Sequence, residues 1–180
     1  MIELLEKVYR GTVTIMRGLP GSGKTKWAWE HVLEPHGKNA IHCSADNFFY
    51  EDEYVTPSPT LDDLMSPEPL PWKQKVYKYD VKKQGEAHAV CMSEFLKAIR
   101  DGVPEIVVDN TASRLWEYEN YVAIAKMHNY EVKIVEMMCP DKDWIKIFIG
   151  RQEHGVPAGV ILDMWLRWEA DDRVTQEIWP

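Results

Sequence analysis

The sequence has little cysteine, no long apolar run and a deficit of positive charge. Its three cysteines, Cys43, Cys91 and Cys139, are odd in number and far apart. That pattern argues against a disulfide framework and against a thiolate zinc cluster. It fits a reducing compartment, and the cytoplasm is the expected location. No stretch approaches the roughly 20 apolar residues needed to span a bilayer, so no membrane partner is expected. The opening residues Met1-Ile2-Glu3-Leu4-Leu5-Glu6-Lys7 carry acids where a signal peptide carries bases. Lysine and arginine total 21 against 29 aspartates and glutamates, a net charge of −8. This balance argues against broad, charge-driven binding of duplex nucleic acid, but it leaves room for a local basic site holding one phosphorylated or strand-end substrate.

What is present is a globular composition. Hydrophobic residues make up 45% of 180 positions, enough for a substantial core. No internal repeat or composition break divides the chain, so a single domain over residues 1–180 is expected. The stretch Gly18-Leu19-Pro20-Gly21-Ser22-Gly23-Lys24-Thr25 satisfies G-x-x-x-x-G-K-S/T at every position. Glycines let a backbone curl so that successive N–H groups point inward at phosphate oxygens. Gly18, Pro20, Gly21, Ser22 and Gly23 therefore read as a phosphate cradle. Lys24 supplies positive charge for the β- and γ-phosphates, and Thr25 offers a hydroxyl to Mg²⁺. The apolar run before the motif reads as a strand, and residues 26–33 read as a helix. Strand, glycine-rich turn and helix are the context that phosphate binding requires.

The rest of the chain alternates. Residues 39–43 predict a second strand, 83–100 a helix stopped at Gly102, 105–108 a buried strand, and 113–129 a helix. Residues 131–138 predict another strand, 141–149 a short helix, 150–159 a loop, and 160–171 a last helix. Strands alternating with helices predict an α/β fold with a central parallel sheet, and ligands at the carboxyl ends of its strands. Between about 50 and 72 lies a polar segment with Pro57, Pro59, Pro67, Pro69 and Pro71. It reads either as a plain surface loop or as a substrate-binding insert, spanning about 51–75. The following Trp72–Lys83 stretch interleaves lysines with aromatics. That mixture suits either a solvated surface or a single nucleic-acid strand.

Three further residues carry chemical interest. Asp46 follows the second strand, where a carboxylate either takes a proton from an acceptor hydroxyl or caps a turn. Asp109 ends an apolar strand; it reads either as a Mg²⁺-side carboxylate or as the cap of the next helix. Arg151 precedes a glycine- and proline-containing loop, where a guanidinium stabilises a transferring phosphoryl group or joins a surface ion pair. Arg167 has possible helical partners at Asp163 and Asp171.

Taken in order, these motifs resemble the phage-type polynucleotide 5′-hydroxyl kinase family, in its small single-domain P-loop branch. The carriers are Gly18 to Thr25, Ser44-Ala45-Asp46-Asn47-Phe48-Phe49, Tyr77-Lys78-Tyr79-Asp80, Ala87-His88, Val108-Asp109-Asn110-Thr111, Arg151-Gln152-Glu153-His154-Gly155-Val156-Pro157 and Met164 with Arg167. The resemblance implies a P-loop kinase fold with a lid at about 150–159. It implies ATP or another NTP as donor, Mg²⁺ at Thr25 and Asp109, and a 5′ end of DNA or RNA as acceptor. Lys24, Asp46 and Arg151 would be catalytic, with Asp46 as general base and Arg151 also on the nucleotide. No protein partner is implied, and no downstream phosphatase domain is expected. One position departs from the family: an arginine three residues after the base is replaced by Phe49. A P-loop kinase of a small-molecule hydroxyl and a nucleotide-gated binding module are the alternatives.

Overall fold

The structure, a computed structural model, describes residues 8–55 and 72–178. Five strands form one parallel sheet: β1 (Thr12–Arg17), β2 (Ala40–Cys43), β5 (Glu105–Asp109), β6 (Glu131–Met137) and β7 (Val174–Glu177), in the order β2-β5-β1-β6-β7. A second sheet is the antiparallel pair β3 (Tyr50–Val55) and β4 (Trp72–Tyr77). The helices are α1 (Lys24–Ala28), α2 (Glu34–His36), α3 (Gln84–Asp101), α4 (Glu119–Met127), α5 (Lys142–Arg151) and α6 (Ala158–Leu166).

β1 is central because it is apolar on both faces. Val13 and Ile15 join Phe95, Cys91, Tyr121 and Val122 in the core beneath α3 and α4. Met16, one step out of phase, joins Val107, Val135 and Met137 under Ala28, Val32 and Leu33. Alternation along a strand buried on both faces produces this two-sided core. The chain lays β2 and β5 on one side of β1, then crosses over to β6 and β7. Strand order therefore reverses about β1, and the phosphate cradle sits at its carboxyl end.

α3 buries Ala87, Cys91, Phe95, Ala98 and Ile99, a helical stripe. It stops at Gly102, whose φ of 73° is the left-handed cap conformation. Val90, apolar and next to Cys91 on the helix, is exposed. A smaller apolar cluster of Leu19, Ile145, Phe148 and Ile161 ties α5 and α6 to the cradle. All three cysteines are free, and burial pushes the Cys43 thiol up to about 12. No helix among the described residues is long and apolar enough to cross a membrane.

The alternation read from the sequence holds, with five local differences. The helix after the cradle is interrupted by a π-helical turn, Trp29–Leu33. The fourth helix begins only at Glu119, after a 3₁₀ turn at Leu115–Glu117. Asp141 caps α5 by accepting from the Asp143 and Trp144 amides, and that helix runs on through Arg151. The last helix spans Ala158–Leu166, and the chain then adds β7 at the sheet edge. Finally, the stretches read as insert and solvated surface contribute β3 and β4. The intervening prolines lie outside the described residues.

Behind the cradle, Arg17 is fully buried. Its Nη1 donates to Glu136 Oε2 at 2.9 Å, its Nε to the Ala112 carbonyl at 3.0 Å and its Nη2 to the Glu169 carbonyl at 2.7 Å. The guanidinium also lies over the rings of Tyr118 and Trp168. All its polar neighbours are thereby matched, as a buried cation requires.

Candidate active site

The cradle turns on two left-handed glycines, Gly21 (φ 80°) and Gly23 (φ 91°). A Cβ at Gly21 would land on the Phe148 carbonyl of α5, so only glycine lets the turn approach that helix. The turn is fastened at both ends. Gly18 N–H donates to the Thr111 carbonyl at 3.1 Å, and Ser22 N–H to the Leu19 carbonyl at 3.1 Å. The Lys24 ammonium donates to the Leu19 carbonyl at 3.1 Å and so folds back over the turn. Burial lowers its pKa, and the Asp109 and Asp46 carboxylates partly offset that effect. Lys24 thus feels two acids, one at the end of β5 and one on the turn after β2.

Asp109 ends β5, 3% exposed, and points at the first turn of α1. Thr25 Oγ1 donates to its Oδ2 at 2.6 Å, and His42 Nε2 donates to the same oxygen at 3.1 Å. Burial works to raise this carboxyl. The His42 hydrogen bond, the Lys24 charge and the Thr25 hydroxyl outweigh burial and hold it below the usual carboxylate range. Its other oxygen, Oδ1, is buried without a hydrogen-bond partner among the described residues, and so is Ser22 Oγ. An ionised carboxylate with one bare oxygen beside a threonine hydroxyl fits a hydrated Mg²⁺ shared with phosphate oxygens. No cluster of three or more histidine, cysteine, aspartate or glutamate side chains able to hold a metal exists among the described residues. Mg²⁺ needs no such cage when phosphates and water complete its shell.

Asp46 sits on the 3₁₀ turn Ala45–Phe49 that follows β2. The turn is anchored to β5. Ser44 Oγ donates to the Asp109 carbonyl at 2.8 Å, and the Ala45 amide donates to Asn110 Oδ1 at 3.1 Å. The Asp46 side chain is half exposed to the cleft. Tyr77 Oη donates to its Oδ1 at 3.0 Å, and His154 Nε2 stands 3.9 Å from its Oδ2. Tyr77 comes from β4, and His154 from the α5–α6 loop.

Arg151 is the exposed last residue of α5, one turn beyond Phe148, which touches Gly21. Gly150 is also helical, so the connection between α5 and α6 is residues 152–157, shorter than the expected lid. Within it, the Val156 amide donates to Gln152 Oε1 at 2.9 Å. Arg167 does not pair along its helix: its Nε donates to Ser113 Oγ at 3.1 Å. Phe49 is 4% exposed and packs against Phe48, Tyr77 and Tyr79. The position that departs from the family is therefore a core position here.

The structure thus gathers the cradle residues, Thr25, Asp109 and Asp46 at the carboxyl edge of the sheet, with the end of α5 beside them. Two site neighbours escaped the sequence reading. His42 is marked only by its place on a strand beside the cradle. Tyr77 was noticed within a motif, but nothing local connects it to Asp46, 31 residues away.

A parallel sheet with order reversal at β1, a glycine-rich cradle there and a hydroxyl–carboxylate pair beside it define the P-loop kinase-like fold. A family model described as "AAA domain" matches residues 13–170, and the chain belongs to that family. Among solved structures it is similar to a gluconokinase from Sinorhizobium meliloti 1021, with TM-score 0.53 and 15% identity over 94% of this chain and 83% of that one. It is also similar to a chain of the Pnkp1/Rnl/Hen1 complex, with TM-score 0.52 and 14% identity over 82% and 40%. Identities this low speak for the fold alone. Among curated proteins it is 31% identical over 152 residues to NEDD4-binding protein 2 of Homo sapiens, covering 82% of this chain and 7% of that protein. It is 30% identical over 168 residues to YLP motif-containing protein 1 of Rattus norvegicus, covering 89% and 11%. The chain therefore spans only about a tenth, or less, of the length of these curated relatives.

Proposed function

We propose that this chain is a phosphotransferase that moves the γ-phosphoryl group of ATP, or another NTP, onto a 5′-hydroxyl end of DNA or RNA. The observation that carries the reading is the placement of Asp46. Its half-exposed carboxylate sits on the 3₁₀ turn that follows β2, and its charge acts on Lys24. A module that only bound a nucleotide has no need of a carboxylate on the acceptor side. The ordered motifs around Asp46 and Arg151 favour a polynucleotide end as the acceptor.

Gly18, Pro20, Gly21, Ser22 and Gly23 receive the phosphates, and Lys24 sets a cation among them. Thr25 and Asp109 would hold Mg²⁺, which neutralises phosphate charge when bound. Asp46 orients the acceptor hydroxyl, accepts its proton and so frees the oxygen for in-line attack. Arg151, at the end of the helix that backs Gly21, stabilises charge on the transferring group.

The test is incubation with γ-phosphate-labelled ATP and 5′-hydroxyl oligonucleotides of DNA and of RNA. Label at the 5′ end is expected. The net charge of −8 favours the rival reading, a small-molecule acceptor. Label found on a small molecule from a metabolite mixture, with none on either oligonucleotide, would establish that rival.

A further inference from the structure

We propose that Tyr77 is the residue that positions the Asp46 carboxylate, which makes the β3–β4 hairpin a working part of the active site. The inference rests on the reading of Asp46 as general base.

The 3₁₀ turn fixes the Asp46 backbone, and its side chain is half exposed. Tyr77 Oη supplies a direct side-chain donor, 3.0 Å from Oδ1. His154 Nε2 lies 3.9 Å from Oδ2, beyond hydrogen-bond distance. Occupying Oδ1 leaves Oδ2 to face an incoming hydroxyl. A base held in one orientation shortens the search for the reactive geometry.

Tyr77 can hold an orientation because its half-buried ring is packed by other rings. Phe49 packs edge-on at 5.9 Å, Tyr50 at 5.2 Å, and the His154 ring lies 4.1 Å away at 35°. Tyr50 stands directly opposite Tyr77 in the hairpin register, and the Lys78 amide donates to the Phe49 carbonyl at 2.8 Å. The Lys78 ammonium pairs with Glu51 and Glu53 of β3, closing the hairpin next to Tyr77. Burial and the neighbouring Asp46 raise the phenol well above its ordinary range, so it stays a donor. Phe49 gains a purpose in this arrangement. The position buttresses the tyrosine that holds the base.

The His154 ring also joins the α5–α6 loop to the hairpin. Arg151 precedes that loop at the end of α5.

The experiment is a double-mutant cycle on phosphoryl transfer to a 5′-hydroxyl oligonucleotide, with Tyr77→Phe, Asp46→Asn and the double variant. Tyr77→Phe keeps the ring and its packing and removes only the hydroxyl. Its kcat is expected to fall roughly tenfold, with KM for ATP unchanged. The double variant is expected to be no slower than Asp46→Asn, because positioning acts only through the carboxylate. An equal loss from Tyr77→Phe in both backgrounds, or wild-type kcat in Tyr77→Phe, would overturn the positioning role while leaving Asp46 as base. Normal turnover in Asp46→Asn would remove the base itself, and the positioning role with it.

Discussion

Thr25 Oγ1 donates to Asp109 Oδ2 at 2.6 Å, joining the last residue of the cradle motif to the end of a strand 84 positions later. The pair leaves Asp109 Oδ1 bare and buried. On the proposed reading this is the Mg²⁺ side of the site. Thr25→Ala and Asp109→Asn should each raise the Mg²⁺ concentration for half-maximal turnover by roughly tenfold or more. Thr25→Ser, which keeps the hydroxyl, should leave it near the wild-type value. A Mg²⁺ titration of initial rates reads this directly, and an unchanged midpoint in Asp109→Asn would refute the assignment.

Arg17 is the last residue of β1 and the first brace behind the cradle. Arg17→Leu removes a buried cation and strands Glu136, which among the described residues keeps the Trp168 indole N–H at 3.2 Å. Breaking a buried pair from one side is expected to cost about 3 kcal/mol or more. Urea denaturation should show the midpoint moving down accordingly, and Arg17→Leu combined with Glu136→Leu should recover part of the loss. A midpoint unchanged in Arg17→Leu would show that the pair contributes nothing.

Arg173 fixes the lead into β7 by donating to Asp171 and to Glu119. Its hydrogen bonds draw both carboxyls below their ordinary ranges, most strongly at the buried Asp171. A carboxyl depressed in the folded state stabilises the fold above its unfolded pKa, near 4. That stability is lost as pH falls through the lower, folded value. Arg173→Ala should therefore be less stable than wild type by about 1 kcal/mol at neutral pH, and the gap should narrow only below about pH 4. Melting curves across pH 2 to 7 test the sign; a gap that widens in acid would contradict it.

The cradle and the sheet were legible because their signals are local. Gly21 and Gly23 stand at the spacing of a glycine-rich turn between strand and helix, and β1 and β5 are apolar runs ending in polar residues. The hairpin was hidden for the opposite reason. β3 reads Tyr50-Glu51-Asp52-Glu53, acidic residues with poor strand propensity, and prolines follow it. Lys78 pairs with two of those acids, and its amide donates to the Phe49 carbonyl at the base of the hairpin. β7 has four residues at a sheet edge with no apolar alternation, so its sequence carries little signal. The contact of Tyr77 with Asp46 depends on that hairpin and could not be read before the hairpin was known. Phe49 stood out as a broken pattern; its meaning, a buried buttress, is visible only in three dimensions.

Asp46→Asn is nearly isosteric and keeps the turn, yet it removes the proton acceptor. The most direct measurement of the central claim is the rate of label transfer from γ-labelled ATP to a 5′-hydroxyl oligonucleotide by Asp46→Asn against wild type, at saturating ATP. The account predicts a fall of about 100-fold or more in Asp46→Asn. Transfer at the wild-type rate in Asp46→Asn would contradict it.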